Sequence, residues 1–497
     1  MTNLIASDQK RLIIGMGQTG LSCARFLKAK GMSFDLCDTR ESLPNQSDIA
    51  AEFPASQLFN GDFSNVLKGE FLSQYSELIV SPGIAIAEPA IVFAQQQGSR
   101  VTGDVDLFAE YVTKPVIAIT GSNGKSTVTT LVGDILAAAG HKPAVCGNIG
   151  TPVLDVLLND ADYHCYVVEL SSFQLETTHN LSADVACVLN LSEDHMDRYS
   201  SMMAYHQAKH RIFQGCKSVV VNREDALTQP LTSSAMPTRS FGLTIANNPI
   251  AAKNQYAISA DNYLVFQQKN IFPVEQLKIK GRHNQLNALA AIALVESLSE
   301  TSTYTSTNTS NKPLPLDFKV TDFQLQQALT NFTGLPHRCA WVAEYEGVSY
   351  FNDSKGTNVG STLAAINGLA NDKKLILIAG GVGKDQDFTA LAEMCQLHVK
   401  NVQLFGRDAS TIASTIASTN KSTVAEKNAN DQIAEKTVTT VQSATLEQAL
   451  EKAKAVAVAG DIILFSPACA SFDQFDNYVQ RGEIFEQLVK AGGQYEH

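Results

Sequence analysis

A lysine and two hydroxyl side chains stand in a glycine-rich segment at residues 121–127, Gly-Ser-Asn-Gly-Lys-Ser-Thr. The segment lies between an apolar run that predicts a buried strand and a run with helical character. Glycines free the backbone amides and a helix N-terminus adds positive potential, so such a segment suits phosphate groups. Lys125 is expected to reach the β- and γ-phosphates of a nucleotide, and the Ser126 hydroxyl to bind Mg²⁺. The full P-loop pattern has a glycine five residues before Gly124, where Ile119 stands, so we predict a variant P-loop.

Acidic side chains follow two further predicted strands. Glu169 ends the apolar run from Tyr166, and the segment 193–198, Glu-Asp-His-Met-Asp-Arg, follows the apolar run 185–190. Sheets of α/β proteins place their ligands at the carboxyl ends of strands. A carboxylate together with the imidazole of His195 would hold Mg²⁺ near a P-loop. Taken alone, each segment is also compatible with a solvated acidic loop.

Lysines and hydroxyl groups also mark later turns. Lys209 stands in a predicted helix, where a lysine is usually a solvated charge. The segments 352–358, 380–384 and 466–473 each lie at or just after a predicted strand. They combine small residues with single lysines or hydroxyls, which suits recognition of a small carboxylate substrate. Turn chemistry alone would also explain each of them.

The segment 15–20, Gly-Met-Gly-Gln-Thr-Gly, follows a strand-like run that begins at Arg11. Asp38 stands about 20 residues beyond it at the end of a second predicted strand, as in dinucleotide-binding β-α-β units. Taken alone, this unit favours an NAD-dependent dehydrogenase. The same geometry would hold another nucleotide, and a packing turn that binds nothing also fits.

The elements that position these residues alternate between strand and helix along the whole chain, so the predicted fold class is α/β. The chain has 497 residues, and at roughly 150 residues per domain that length indicates about three domains. Residues 300–315, rich in Ser, Thr, Asn and Pro, are predicted to form a surface loop. Residues 409–441, with repeated Ala-Ser-Thr units, are predicted to be a mobile insertion over a weak helical pattern.

Composition excludes several classes of function. Lys and Arg number 38 against 50 Asp and Glu, and the net charge of −12 disfavours nucleic-acid binding through a basic face. No apolar run approaches the ~18 residues needed to cross a membrane, and the N-terminus lacks the long apolar stretch of a secretory signal. Nine cysteines without a CxxC pair predict reduced core thiols. We therefore expect a cytoplasmic, soluble protein.

Taken together, these segments resemble the Mur ligase family of ATP-dependent amide-bond-forming enzymes over nearly the whole chain. The variant P-loop and His337-Arg338 are typical of the wider family. The segments 170–176, Leu-Ser-Ser-Phe-Gln-Leu-Glu, and 466–473, Ser-Pro-Ala-Cys-Ala-Ser-Phe-Asp, are more particular. They are similar to the members that join D-glutamate to UDP-N-acetylmuramoyl-L-alanine. The Asp-Asn-Pro-Arg motif expected of the sibling that adds meso-diaminopimelate does not occur in this sequence.

The resemblance implies three α/β domains with separate tasks. Residues 1–103 would form an N-terminal Rossmann-like domain that binds the UDP-substrate, and residues 104–334 a central P-loop domain that binds ATP and Mg²⁺. Residues 335–497 would form a Rossmann-like C-terminal domain that brings D-glutamate. The implied reaction is ATP-dependent formation of an acyl phosphate, which the amine of D-glutamate attacks, in cytoplasmic peptidoglycan precursor synthesis. A monomer is expected.

The resemblance also implies roles for individual residues. The UDP part of the substrate would contact Gln18, Thr19, Thr39, Arg40 and Gly83, and the muramoyl part would contact Asn148, Ser171 and Gln174. The nucleotide would contact Gly121, Ser122, Asn123, Gly124, Lys125, Ser126, Thr127, Asn284, Asn287, Arg338 and Asp353. D-Glutamate would contact Thr357, Lys384, Ser471 and Phe472. The catalytic residues would be Lys125, Glu169, His195 and Lys209.

Two Mg²⁺ ions are expected, held by Ser126, Glu169, His195 and Lys209. An ammonium near two cations is destabilised, which lowers its pKa and favours the neutral amine. A neutral amine reacts with CO₂ to form a carbamate, an anionic oxygen ligand suited to Mg²⁺. The resemblance implies this modification at Lys209.

Three other functions stay open at this point. A sibling ligase of the folylpolyglutamate type would accept a different amino acid. A dehydrogenase would use residues 15–20 for a nicotinamide cofactor. A non-catalytic regulator would bind ATP and release no phosphate.

Overall fold

In the part of the chain that the structure describes, three β-sheets follow one another, and each is built from one contiguous stretch of sequence. The computed structural model describes residues 10–43, 45–159, 161–231, 235–244, 254–267, 269–304, 317–369, 375–425 and 438–492. Helices pack against every sheet. The predicted α/β class with three domains is confirmed, and the proposed boundaries at residues 103 and 334 stay predictions.

The N-terminal sheet is parallel, with the strand order β3-β2-β1-β4-β5. Its elements are β1 Arg11–Ile14, α1 Gln18–Ala29, β2 Asp35–Asp38, α2 Gln46–Glu52, β3 Leu58–Asn60, α3 Gly69–Leu72, β4 Glu77–Val80, α4 Pro89–Gln96, β5 Arg100–Thr102 and α5 Asp104–Tyr111. The apolar residues of β1 are buried on both faces of the sheet, as a central parallel strand requires. Gly15 follows β1 with a φ of 92°, and a Cβ atom on Gly20 would lie 1.9 Å from the Gly15 carbonyl oxygen. Glycines at both positions therefore allow α1 to start directly beside the strand.

The central sheet has nine strands in the order β14-β13-β12-β11-β10-β9-β6-β8-β7. Its strands are β6 Val116–Thr120, β7 Pro143–Gly147, β8 Cys165–Glu169, β9 Val185–Val188, β10 Ser218–Asn222, β11 Thr238–Phe241, β12 Gln255–Ile258, β13 Tyr263–Phe266 and β14 Lys269–Pro273. Its helices are α6 Lys125–Ala138, α7 Val153–Leu158, α8 Ser172–Glu176, α9 Met202–His210, α10 Arg282–Tyr304 and α11 Asp322–Asn331, with 3₁₀ turns at Arg211–Phe213, Ala226–Thr228 and Val274–Gln276. In the parallel part, Ile119 pairs with Glu169 and Thr120 with Val188. The P-loop, Glu169 and the segment after β9 therefore leave the sheet side by side.

The C-terminal sheet has six strands in the order β15-β16-β20-β17-β18-β19, parallel except for β15. Its elements are β15 Ala340–Tyr345, β16 Val348–Asn352, α12 Val359–Leu369, β17 Leu375–Gly380, α13 Thr389–His398, β18 Val399–Phe405, α14 Ala409–Ala425, β19 Thr439–Gln442, α15 Leu446–Val456, β20 Ile462–Phe465 and α16 Tyr478–Gly492. Phe465 lies between Asn352 and Ile378 in the register. The turns 352–358, 380–384 and 466–473 therefore begin at three adjacent strand ends.

The surface loop predicted at residues 300–315 begins later than expected. Helix α10 continues to Tyr304, and the Thr301 side chain is buried. Its hydroxyl donates to the Ser297 carbonyl one turn earlier, which lets a polar residue stay inside a helix. The prediction is wrong for residues 300–304, and residues 305–316 lie outside the described residues.

The prediction of a mobile insertion at residues 409–441 is also wrong for the first half of that segment. Helix α14 occupies Ala409–Ala425, and its residues Ile412 and Ile416 are buried in the core of the C-terminal domain. Isoleucines four residues apart share one helix face, so the weak pattern suffices to dock this helix. Strand β19 closes the segment, and residues 426–437 lie outside the described residues.

All nine cysteines are free in this structure, and all but Cys339 are buried. Among the helices that the structure describes, none has the length and apolar character to cross a membrane.

Candidate active site

Two cavities lie along the carboxyl ends of the parallel strands. The first, of about 1010 Å³, is lined by residues of all three domains. The second, of about 450 Å³, lies between the N-terminal turns and residues 147–152 at the end of β7. Gly83 and Asn148 line both cavities, so the two spaces adjoin at these residues.

The structure brings nearly all of the predicted site residues to these cavities. The first cavity is lined by Gly83, Ser122, Asn123, Gly124, Lys125, Ser126, Thr127, Asn148, Glu169, Ser171, His195, Lys209, Asn284, Asn287, Arg338, Asp353, Thr357, Lys384, Ser471 and Phe472. The second cavity is lined by Gln18, Thr19, Thr39, Arg40, Gly83, Asn148 and Gln174. Gly121 does not line either cavity. Its carbonyl oxygen instead accepts hydrogen bonds from Lys125 and Lys209.

The predicted P-loop leads directly into α6, where its geometry suits an anion. Gly124 has a φ of 81°, and a Cβ atom there would lie 2.5 Å from Asn287 Oδ1, so glycine is required. The Lys125 ammonium donates to the carbonyls of Gly121 at 2.8 Å and Ser122 at 2.9 Å, and burial lowers its pKa.

A second cation reaches the P-loop from the C-terminal domain. Arg338 Nη2 donates to Ser126 Oγ at 2.6 Å, across 212 residues of sequence. The residues on both sides of it, His337 and Cys339, have left-handed φ angles of 60° and 50°. Two cations thus stand at a helix N-terminus, an arrangement that binds phosphates.

One carboxylate oxygen of Glu169 is suited to bind a metal ion. The Glu169 side chain is buried, and its Oε1 accepts a hydrogen bond from Asn148 Nδ2 at 2.7 Å. Its Oε2 is buried without a hydrogen-bond partner among the described residues. An unpartnered buried carboxylate oxygen is costly, and a bound cation would satisfy it.

The oxygen ligands at this site suit Mg²⁺ better than a metal ion that is coordinated only by protein side chains. Within the described ranges, no group of three or more His, Cys, Asp or Glu side chains forms a ready metal cage. Mg²⁺ is usually held by one or two protein oxygens together with phosphates and water. Glu169 and the Ser126 hydroxyl line the same cavity and are ligands of that kind.

His195 follows β9 with a φ of 58°. Desolvation lowers its pKa to about 4, against the opposing effect of the neighbouring Asp194 carboxylate. The imidazole is therefore neutral at pH 7, and a neutral ring nitrogen is available as a metal ligand. The edge contact with Phe173, at 4.7 Å between ring centroids, fixes one side of the ring.

Lys209 is fully buried, so the alternative of a solvated helix lysine is wrong. Its Nζ donates to the Gly121 carbonyl at 2.9 Å and to Thr120 Oγ1 at 3.3 Å. The ammonium also lies 4.8 Å from the centroid of the Tyr205 ring. Burial, and then the charge of Lys125, lower the pKa of Lys209 well below its usual value. The burial of Lys209 could not be predicted from local periodicity, because the apolar pattern of the surrounding helix is weak.

Lys384 contacts the central domain directly. Its ammonium forms a buried ion pair with Asp194, and Asn358 Nδ2 donates to the other Asp194 oxygen at 3.1 Å. Burial would raise the pKa of Asp194, but Lys384 and His195 hold it at about 2. The lysine expected to meet D-glutamate thus lies in the cavity with its charge balanced by a carboxylate.

The second cavity uses its acidic residue in a way that argues against a dinucleotide. The Asp38 carboxylate accepts hydrogen bonds from Nε and Nη2 of Arg40, both at 2.8 Å, and from the Met16 amide at 2.7 Å. An acid that binds a ribose hydroxyl needs a free oxygen facing the ligand. In this structure, Arg40 pairs with both oxygens of the Asp38 carboxylate, and its guanidinium lines the cavity.

Gln174 and Ser171 support each other at the start of α8. Ser171 Oγ accepts from the Gln174 amide at 3.1 Å, and Gln174 Oε1 accepts from the Ser171 amide at 3.1 Å. Gln174 Nε2 donates to Asp104 Oδ2 at 3.1 Å. Burial raises the pKa of Asp104 to about 6. The Gln174 amide is therefore fixed by its own helix cap and by Asp104.

Lys355 and Tyr478 line the first cavity and were not predicted individually, whereas Asp353 was. Lys355 lies 4.0 Å from the centroid of the Tyr478 ring, and burial lowers its pKa to about 7. Asp353 accepts from the Cys339 amide at 3.0 Å and from Ser466 Oγ at 2.6 Å, which ties two turns together. Lys355 carried a signal, since it stands in the polar turn after β16. Tyr478 lies five residues beyond the segment 466–473, at the start of a helix, and its residue type alone did not mark it as part of the site.

Comparisons with known proteins agree with this geometry. Residues 9–103 match the model of the Mur ligase MurD-like N-terminal domain, residues 119–295 the Mur ligase middle domain, and residues 337–469 the Mur ligase glutamate ligase domain. Proteins of Pseudomonas savastanoi pv. phaseolicola and Pseudomonas aeruginosa, each named UDP-N-acetylmuramoylalanine--D-glutamate ligase, are both 46% identical to this chain. Each of these alignments covers 98% of this chain and 99% of the relative.

The fold alone is also shared with more distant proteins. A pseudomurein peptide ligase type C from Methanothermus fervidus aligns with a TM-score of 0.56 at 17% sequence identity, over 97% of this chain and 100% of that chain. The resemblance drawn from the motifs is confirmed by the domain models and by the relatives that are 46% identical to this chain. With three matching domain models and relatives 46% identical along almost the whole length, the chain belongs to the Mur ligase family.

Proposed function

We propose that this chain joins D-glutamate to UDP-N-acetylmuramoyl-L-alanine in an ATP-dependent step of peptidoglycan precursor synthesis. One observation carries the proposal: relatives 46% identical over 98% of the chain are named for this pair of substrates. The adjoining cavities suit it, since one has a nucleotide-type turn and the other a P-loop.

The reaction has to overcome the poor reactivity of a carboxylate toward an amine. A carboxylate oxygen of the UDP-substrate attacks the γ-phosphorus of ATP, which forms an acyl phosphate and releases ADP. The amine of D-glutamate then attacks the carbonyl carbon, and phosphate leaves from the tetrahedral intermediate. Negative charge develops in both steps, so cations fixed in advance stabilise both transition states.

Residues of the first cavity supply these cations and orient the nucleotide. Lys125 and Arg338, at the start of α6, would hold the β- and γ-phosphates. Glu169 and Ser126 would hold one Mg²⁺, and His195 with Lys209 a second. Magnesium bound there would neutralise phosphate charge and draw the acceptor carboxylate toward the γ-phosphate.

The three domains would divide the substrates among them. We assign the UDP-substrate to residues 1–103, ATP to residues 104–334 and D-glutamate to residues 335–497. The UDP-substrate would enter the second cavity and pass Gly83 and Asn148 into the first, where its carboxylate meets the nucleotide. A first cavity walled by all three domains would keep water from the acyl phosphate.

We propose that the chain acts as a monomer. We place the reaction in the cytoplasm, where ATP is available. Sedimentation of the purified protein should give one species near 53.6 kDa. A stable dimer would contradict the monomer.

Phosphate release tests the proposed function most directly. With UDP-N-acetylmuramoyl-L-alanine, ATP and Mg²⁺ present, phosphate release should require D-glutamate, and L-glutamate or meso-diaminopimelate should not replace it. Activity with a different amino acid would favour a sibling ligase. ATP binding without phosphate release, with any of these acceptors, would favour a regulator.

Replacing Arg40 with alanine should weaken binding of the UDP-substrate about 10-fold or more, because a guanidinium at the second cavity is lost and charge-assisted hydrogen bonds are strong. ATP affinity should stay unchanged, since the P-loop lies in another domain. Titration calorimetry with each ligand measures both. Arg25→Ala is a matched control, because Arg25 pairs with Glu52 in the same domain away from either cavity. Loss of ATP binding in Arg40→Ala would contradict the assignment of the second cavity.

Replacing Lys384 with alanine should raise the KM for D-glutamate about 10-fold or more, because the substrate carboxylate loses a buried cation. The KM for ATP should change much less. The variant also leaves Asp194 without its ion pair, so thermal unfolding should be measured beside the kinetics. Lys400→Ala, which breaks the ion pair with Asp461 outside the cavities, provides the control. An unchanged KM for D-glutamate would remove Lys384 from the substrate site.

A further inference from the structure

Arg198 connects the N-terminal and central domains at the junction of the two cavities. Its Nη1 donates to the Pro82 carbonyl at 3.0 Å and its Nη2 to the Ile84 carbonyl at 2.9 Å. The same Nη2 donates to Glu176 Oε2 at 2.8 Å, and both side chains of this ion pair are largely buried. The guanidinium therefore binds the two carbonyls that flank Gly83.

The turn that Arg198 holds is part of the N-terminal nucleotide-type site. Ser81 Oγ donates to the Gly15 carbonyl at 2.7 Å, and the Ser81 amide donates to the Ile14 carbonyl at 2.9 Å. The Ile84 amide closes the turn by donating to the Ser81 carbonyl at 2.9 Å. One end of the turn is thus bound to the glycine-rich segment of the second cavity, and the other end to Arg198.

Arg198 also supports the first cavity. Its guanidinium carbon lies 4.2 Å from the centroid of the Phe173 ring, a cation–π contact. Phe173 in turn makes the edge contact with His195, and the Arg198 amide donates to the His195 carbonyl at 2.9 Å. A displacement of Arg198 would therefore reach the Gly83 turn on one side and the His195 imidazole on the other.

We propose that Arg198 is a positioning residue. It fixes the position of Gly83, where the two cavities adjoin, and so places the carboxylate of the UDP-substrate for phosphorylation. This inference rests on the proposed function, which assigns the UDP-substrate to the second cavity. A planar guanidinium donates to two carbonyls and a carboxylate at fixed angles, whereas an ammonium is a point charge without that fork. Arginine is therefore required at this position, and charge alone does not suffice.

The test is Arg198→Lys, which keeps the charge. We expect the dissociation constant for UDP-N-acetylmuramoyl-L-alanine, titrated without ATP, to rise about 10-fold, because the hydrogen bonds that place Gly83 are lost. We also expect kcat to fall, since a carboxylate displaced by about 1 Å reacts much more slowly. The dissociation constant for ATP and the KM for D-glutamate should stay within about twofold.

Arg211→Lys is a matched control. Arg211 also donates to main-chain carbonyls, those of Leu175 and Thr178, but both belong to the central domain. We expect its affinities for ATP and for the UDP-substrate to equal those of the unaltered protein. If Arg198→Lys weakens both ligands alike, or neither, the positioning role is overturned.

Glu176→Gln keeps the test decisive if Arg198→Lys fails to fold. It removes the charge that orients the guanidinium and leaves both carbonyl contacts possible. We expect it to weaken binding of the UDP-substrate about threefold, with ATP binding unchanged. Unchanged binding of the UDP-substrate in this variant would overturn the inference. If the unaltered protein itself fails to bind the UDP-substrate, the proposed function is wrong and Arg198 keeps only its structural contacts.

Discussion

Replacing Lys125 with alanine is expected to lower ligase turnover about 100- to 1,000-fold, with the fold retained. The ammonium is buried at the start of α6 and is held by the carbonyls of Gly121 and Ser122. In the proposed reaction it faces the β- and γ-phosphates, where charge is redistributed in the transition state. Loss of one fixed donor from such a site typically has an effect of this size.

The measurement is steady-state phosphate release by the variant, together with its thermal unfolding. Lys217→Ala is the control, because Lys217 pairs with Asp184 on the same domain and is half exposed. Its turnover should match that of the unaltered protein. A folded Lys125→Ala protein with nearly normal turnover would contradict the P-loop assignment.

Replacing Lys209 with alanine is expected to abolish most of the activity, and the reason is a proposed covalent change. The Lys209 amine is buried beside Lys125, and its pKa lies well below the usual value. A neutral amine attacks the carbon of CO₂ through its lone pair and then loses a proton to solvent, which leaves a carbamate anion. This anion would provide an oxygen ligand to the second Mg²⁺, directly or through water.

Isotope labelling separates this modification from a merely buried lysine. Protein incubated with ¹³C-bicarbonate should show a carbamate carbon signal that is absent in Lys209→Ala. Because carbamates form from the neutral amine, the signal should persist at a pH where an ordinary exposed lysine is charged. Lys217→Ala should keep both the signal and the activity. Full activity of Lys209→Ala in saturating Mg²⁺ would defeat the proposal, whatever the spectrum shows.

The motifs at strand ends were predictable from the sequence because their signals are local. The apolar run before residue 121, the glycines of the P-loop and the start of α6 lie within one short stretch. Each of these features depends on neighbouring residues only, and the buried parallel strands have few alternatives to a continuous apolar run. The segment 409–425 shows the limit, since its two buried isoleucines were too few for the pattern to be recognised as a docked helix.

Local patterns by themselves determined the α/β class, the variant P-loop and the strand ends that carry Glu169 and His195. Tertiary structure alone decided which side chains meet there: Lys209 became a buried amine, Lys384 found Asp194 across 190 residues, and Arg198 reached the Gly83 turn across 116. The physical reason is that burial and ion pairing depend on how elements distant in the sequence pack together, within the central domain for Lys209 and between domains for Lys384 and Arg198. Residues so far apart in sequence share no periodicity, and only the packed domains bring their charges within hydrogen-bond distance.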